Sequence, residues 1–366
     1  MLYEIKLHIL SPVHIGCNEC YTPTEFVIDV DKSIMIHFDL WQFIKTLNDK
    51  EWKEFENISE KDTVACLVQL YRFYSKVKEK VKGRIISIPK ELAERYREVK
   101  QLNDEKEILK KFNEFEIPRT FFNPYTQTPI IPGSSLKGSL RTGYLDKTLA
   151  ESPDKENLIK NADPRNPEQL EAKILEGQMS TDPFRLLKIS DLEPEGQVKT
   201  KVIYQINVNK LKDNIRSTLS IPIEVIPEGS IFKGTVKLDS LIENSDIKKP
   251  FDFKSLLTKV HAHYAEIFNR EVDLRKNKGF RLPLIEQFKN ELKIKYFLIR
   301  IGKHSGAEAV TIESVRKIKI RTAKGSTWDK TPTTIWLASQ NKKPANLIQA
   351  IPFGWVMLEV VNADTL

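Results

Sequence analysis

An α+β fold with a large helical insertion is what this sequence predicts, and three observations predict it. Short runs of alternating or continuous apolar residues open and close the chain, at Leu2–Leu10 and Trp355–Val361. Longer runs with apolar residues three and four apart lie between them, and the two kinds do not alternate strictly, which argues against a parallel βαβ array. The helical runs concentrate between about 39 and 115, an insertion within an otherwise mixed pattern.

In the first run Tyr3, Ile5, Leu7 and Ile9 alternate with Leu2, Glu4, Lys6 and His8, the period of a half-buried strand. Ser11-Pro12 ends it, and His14-Ile15-Gly16 begins a loop. Phe26–Val30 and Ser33–Phe38, separated by Asp31-Lys32, form a hairpin pattern. Asp39 is placed to cap a helix from Leu40, with Trp41, Ile44 and Leu47 on one face. Val64, Leu67, Val68, Tyr71 and Tyr74 mark a second helix, and Glu91–Phe112 a third whose interleaved charges suit a solvated face.

Beyond the insertion, a helix carries Leu136, Leu140, Tyr144, Leu145 and Leu149 at helical spacing. Residues 151–177 are a loop with one short helix near Pro167–Leu175. Strand patterns return at Phe184–Ile189, Val198–Asn207, Leu219–Pro227 and Ser230–Leu238, and a helix follows across Phe251–Arg270. Lys293–Ile301, Val315–Arg321 and Trp355–Val361 are the last strands. The expected division is 1–200 and 201–366, with insertions at about 39–115 and 245–291.

Composition narrows the class. Hydrophobic content of 40% and charged content of 30% belong to a globular protein. No apolar run approaches the ~20 residues of a membrane-spanning helix. Met-Leu-Tyr-Glu-Ile-Lys at the start lacks the pattern of a signal peptide, so a cytoplasmic protein is expected. Cys17, Cys20 and Cys66 are too few for a disulfide framework. With 58 basic against 50 acidic residues, the formal charge of +8 is compatible with a polyanionic partner, though on its own it discriminates little.

Two segments carry the chemistry. After Ile130-Ile131-Pro132, Gly133-Ser134-Ser135 leads into a helix on which Ser134 or Ser135 is placed to cap. Exposed amides at such a terminus attract anions, and glycines at 133 and 138 let a backbone come close. Lys137 and Arg141, four apart, share a face beside it. The same residues also fit an ordinary capped helix with both cations in solvent, and physics alone leaves the two level. Gly133-x4-Gly138 is followed by Ser139 where a P-loop requires Lys, so nucleotide hydrolysis is not supported. The second segment, Gly302-Lys303-His304-Ser305-Gly306, is a glycine-bracketed loop leading into a short helix at Ala307–Val310.

His14, Cys17 and Cys20 have the spacing of an incomplete zinc site to which Cys66 would add a fourth ligand, and metal-free thiols are the simpler account. His261 and His263, two apart on a helix, point to different faces. No catalytic dyad or triad is recognisable by spacing. His14 is the position to test for metal-free ribonuclease chemistry.

Taken in order, Ser11-Pro-Val-His-Ile-Gly16, Ile131-Pro-Gly-Ser-Ser-Leu-Lys-Gly-Ser-Leu-Arg141, Asp182-Pro-Phe-Arg-Leu-Leu-Lys-Ile-Ser-Asp191 and Ile301-Gly-Lys-His-Ser-Gly306 resemble the RAMP superfamily of CRISPR proteins. Within it the chain looks most like the fifth-subunit family of type III-A Csm effectors. The resemblance implies two ferredoxin-like, RRM-like modules, the second degenerate. It also implies a non-catalytic subunit that caps the effector filament near the guide 3′ end and supports guide maturation. Implied partners are guide RNA, target RNA and other Csm subunits, above all the repeated backbone subunit; no cofactor is implied. The implied RNA contacts are His14, the 133–141 segment, the 302–306 loop, and Arg185 and Lys188. A ribonuclease acting through Glu19, Glu25 or His14 is the alternative, although the loop after the first strand lacks the family's acidic nuclease residue in obvious form.

Overall fold

The alternating run at the start of the chain forms the strand Leu2–Ile9, with Tyr3, Ile5, Leu7 and Ile9 buried on one face. The structure is a computed structural model and describes residues 1–60, 64–112, 115–163, 166–211, 220–241, 245–322 and 325–362. Leu2–Ile9 lies between two antiparallel neighbours, Ile231–Leu238 and Trp355–Val360, so that Ile5 faces both Gly234 and Val360. Tyr296–Arg300 extends this first sheet beyond Trp355–Val360, and Leu187–Ile189 and Glu193–Pro194 extend it beyond Ile231–Leu238.

The helices Gly133–Ala150 and Phe253–Lys278 pack on each other and against this sheet. Gly143 lets them meet closely, since a Cβ there would lie 3.1 Å from the Val260 Cα. The second helix runs past Arg270 to Lys278, where Gly279 at φ 73° donates its amide to Arg275 O and ends it. His261 on this helix accepts from the Leu298 amide at 3.0 Å, tying helix to strand.

The second sheet runs Ile351–Pro352, Thr334–Ser339, Lys201–Asn209, Arg84–Ser87, Ile34–His37 and Phe26–Asp29, with Ser220–Val225 also on Lys201–Asn209. The hairpin at 26–37 is as expected. Leu219, expected to begin a strand, lies outside the described residues; the strand there is Ser220–Val225. Neither sheet respects the expected cut near position 200. Both draw strands from both sides of it: the first and last strands pair in the first sheet, and Arg84–Ser87 meets Lys201–Asn209 in the second.

The 39–115 block needs correction too. It contributes a strand, Arg84–Ser87, which the β-branched Ile85-Ile86 pair suits. Its long charged helix is two, Lys90–Lys100 and Glu105–Phe112, and Asp49–Ser59 is a further helix with a full capping box at Asn48 and Glu51. In the five-residue helix Leu40–Ile44 it is Phe43 that is buried, against Phe38 and Tyr74, while Trp41 is exposed.

Two polar networks pin the core. Glu271 accepts from Arg300 Nη1 at 2.6 Å and from Trp355 Nε1 at 2.8 Å, all three being buried. Glu224 accepts from Arg84, from the Thr200 hydroxyl and, at 3.1 Å, from the Thr120 amide. Among the described residues no helix is long and apolar enough to cross a membrane.

Candidate nucleic-acid interface

Three segments far apart in sequence meet at one cleft of about 680 Å³. Ile15 and Gly16 form one wall, the start of the Gly133–Ala150 helix a second, and the Gly302–Gly306 loop a third. The helix shows the cleft a face of small residues: Ser134, Ser135, Gly138, Ser139 and Thr142. A Cβ on Gly138 would meet nothing within 4 Å, so this turn is open to solvent.

The helix begins two or three residues earlier than a cap at Ser134 or Ser135 would set it. Gly133 is its first residue, Pro132 precedes it, and neither Ser134 nor Ser135 acts as the cap. The Gly133 amide donates instead to Asp191 Oδ1 at 2.9 Å. Gly133 is required, because a Cβ would collide with Ile189 O at 2.3 Å. The Ser134 and Ser135 side chains are thereby left to line the cleft.

Glycine geometry builds the opposite wall. Gly302 and Gly306 have φ of 81° and 84°, the left-handed region that glycine adopts without strain. Gly302 also sits against His14 O, which a Cβ would approach to 2.7 Å. The Lys303 amide donates to that same carbonyl at 2.9 Å, so the loop is stitched to the 11–16 segment. Ser305 is buried and donates its hydroxyl to Gly302 O at 2.9 Å, bracing the loop from within. Ala307–Val310 is one 3-10 turn, too short to bring a helix dipole.

Lys303 is the cleft's cation. Its side chain crosses Gly16, and among the described residues no carboxylate pairs with it. His304 has φ of 65° and stands beside Trp336, ring centroids 5.2 Å apart. Burial, with His14 and Lys303 nearby, pushes its pKa down to about 4, so it is neutral at pH 7. The cleft therefore presents hydroxyls, one ammonium and two aromatic groups, and among the described residues no carboxylate lines it.

The other expected cations are engaged elsewhere. Lys137 donates to Leu187 O at 2.7 Å. Arg141 is held by Glu171 at 2.8 Å and by Asp182 at 2.7 Å, over the Phe184 ring. The pair does share a helix face, but one turned toward the 182–187 segment, away from the cleft. Arg185 is exposed and reaches Met179 O at 3.4 Å, and Lys188 pairs with Asp239 at 2.7 Å. Neither lines the cleft.

His14 is 2% exposed and donates Nδ1–H to the Glu224 carbonyl at 2.7 Å. Burial first, and then Lys303, holds its pKa below the ordinary value. Its place is beneath the loop, its ring 6.0 Å from that of His304. Cys17 donates to Arg119 O and Cys66 packs in a separate apolar cluster, so the four residues of the incomplete zinc pattern do not converge. Glu19 is exposed, 3.7 Å from Arg119, and Glu25 is 3.9 Å from His37. Sequence reasoning missed Trp336, whose strand at Thr334–Ser339 was not recognised.

A family model described as the RAMP superfamily matches residues 6–305. The curated CRISPR system protein Csm5 of Methanocaldococcus jannaschii is 28% identical over 272 residues, 68% of this chain. The chain spans 58% of the length of that relative. Among solved structures, one chain of a Csm–crRNA–target RNA ternary complex from a type III-A CRISPR–Cas system superposes with a TM-score of 0.61 at 19% identity, covering 98% of this chain and 100% of that one. Csm5 of T. onnurineus superposes with a TM-score of 0.59 at 17% identity, covering 96% and 99%.

Proposed function

The chain belongs to the RAMP superfamily, and on that premise we propose that it is a non-catalytic subunit of a type III-A CRISPR effector that grips guide RNA by its backbone in this cleft. The observation that carries the reading is the meeting of Gly16, the Ser134, Ser135 and Gly138 face of the helix, and Gly302–Gly306 around Lys303. Those are three of the family's four motifs, and nothing in the separate folding of a strand, a helix and a loop requires them to share a surface. The Ser134 and Ser135 hydroxyls and an ammonium that pairs with no carboxylate among the described residues suit phosphate oxygens, which position an RNA without reading its bases.

The fold fits this role. The first sheet and its two helices run in the order strand, helix, three strands, helix, two strands, which we take as a ferredoxin-like, RRM-like module with added strands; the second sheet is its degenerate counterpart. Strands interleave between the two, so the modules are not consecutive in the chain. Further parts of the proposal follow the family resemblance: a place at the filament end near the guide 3′ terminus, contact with target RNA and the repeated backbone subunit, and support of guide maturation in antiviral defence.

Gly138→Glu tests the proposal. The new side chain enters open space at the cleft, so the helix is kept while a carboxylate meets the RNA. Fluorescence anisotropy with guide RNA is expected to show at least tenfold weaker binding, steepest at low salt. Unchanged affinity in a folded Gly138→Glu protein removes the cleft from the RNA path.

A further inference from the structure

A site that only held phosphate would have no use for an indole, yet Trp336 lines the cleft beside Lys303 and His304. Trp336 stands on the strand Thr334–Ser339, opposite Asn207. It is half-buried, and its inner side packs on the apolar cluster around Phe353. His304 braces it laterally, its ring 5.2 Å from Trp336 and 5.5 Å from Phe353.

His304 holds that place at a φ of 65°, a backbone region that non-glycine residues leave unless the surroundings demand it. Its ring lies within a row from His14 through His304 to Trp336. The row backs the indole, and Trp336 is the one tryptophan among the described residues lining the cleft.

We propose that Trp336 is a stacking platform for one nucleobase of the RNA, so that the cleft takes a single-stranded nucleotide as a unit, phosphate toward Lys303 and base on Trp336. This rests on the cleft being the RNA site. Stacking on an indole tolerates every base and favours the larger purine ring. The base must be unpaired to reach the indole, so duplex RNA is not a ligand of this subsite. The lack of carboxylates among the described lining residues fits an anionic ligand and does not fit a basic peptide.

The test compares two probes with the full chain: a short oligoadenylate, and an abasic ribose–phosphate chain of the same length. Trp336→Leu keeps apolar bulk for the core and removes the π face; Trp336→Phe keeps a smaller π face. Trp336→Leu is expected to bind oligoadenylate about tenfold more weakly and the abasic chain unchanged, with Trp336→Phe between leucine and the parent. Lys303→Ala should weaken both probes alike. If Trp336→Leu changes neither probe or both equally while Lys303→Ala weakens both, the stacking role is wrong and the cleft reading stands. If Lys303→Ala also leaves both unchanged, the cleft reading fails with it.

Discussion

Lys303 lies across Gly16 so closely that a Cβ at the glycine would come within 2.8 Å of the lysine Cε and 2.9 Å of its Nζ. These residues belong to motifs nearly a whole chain apart, and the glycine is what gives the ammonium its place. Gly16 has no left-handed φ, so a side chain there displaces the flexible lysine and leaves the backbone alone. Gly16→Val is therefore expected to weaken guide-RNA binding several-fold while shifting the melting temperature by no more than about 4 °C. Anisotropy and calorimetry on the same preparation check both halves.

The ion pairs of Arg141 lead to a contrast. Lys303→Ala should lower the slope of log affinity against log salt by about 0.7, the share of one phosphate contact on a single strand. Arg141→Ala should leave that slope alone and cost about 1 kcal/mol of stability, because Glu171 and Asp182 lose a partly exposed partner. A reduced salt slope in Arg141→Ala would restore that residue to the RNA path.

Glu271 is a buried acid whose two partners are themselves buried. Glu271→Ala leaves the Arg300 guanidinium buried without its carboxylate and the Trp355 indole N–H without an acceptor. A loss of about 3–5 kcal/mol is expected in urea unfolding. A loss below about 1 kcal/mol would mean that water or a neighbouring group takes over the pairing.

Acid should weaken the fold early. Burial is the leading cause that pushes His37, His261 and His304 down to about 4 from an ordinary 6.5. Between those values the unfolded chain binds protons that the folded chain refuses, so stability falls as pH drops from about 6.5 toward 4. By pH 5 each histidine accounts for up to about 2 kcal/mol. In denaturant titrations from pH 7 to pH 5, His261→Asn should reduce the proton uptake on unfolding by about one. An unchanged uptake would show that His261 is not held neutral.

Much of this was legible in the sequence. The alternation of Tyr3, Ile5, Leu7 and Ile9 gave the central strand, and the glycine motifs marked the cleft walls. What escaped depends on distant partners. Whether Lys137 and Arg141 face a ligand or a carboxylate is decided by Leu187, Glu171 and Asp182, and no local spacing records that. The Asp191 carboxylate at the Gly133 amide displaced the expected serine cap for the same reason. Arg84–Ser87 hid among helices because four residues carry no period, and Trp336 stood on a strand too mixed in pattern to notice.

Pairing of Leu2–Ile9 with Ile231–Leu238 and Trp355–Val360 also sets a timetable for synthesis. Ile231–Leu238 and then Trp355–Val360 are synthesised long after Leu2–Ile9, so each edge of that strand waits for a partner distant in the chain. Until then, an alternating apolar strand with two open edges is exposed to other nascent chains. A message truncated before Trp355 would yield a protein with that edge permanently unpaired, and aggregation rather than loss of RNA affinity would be its first defect.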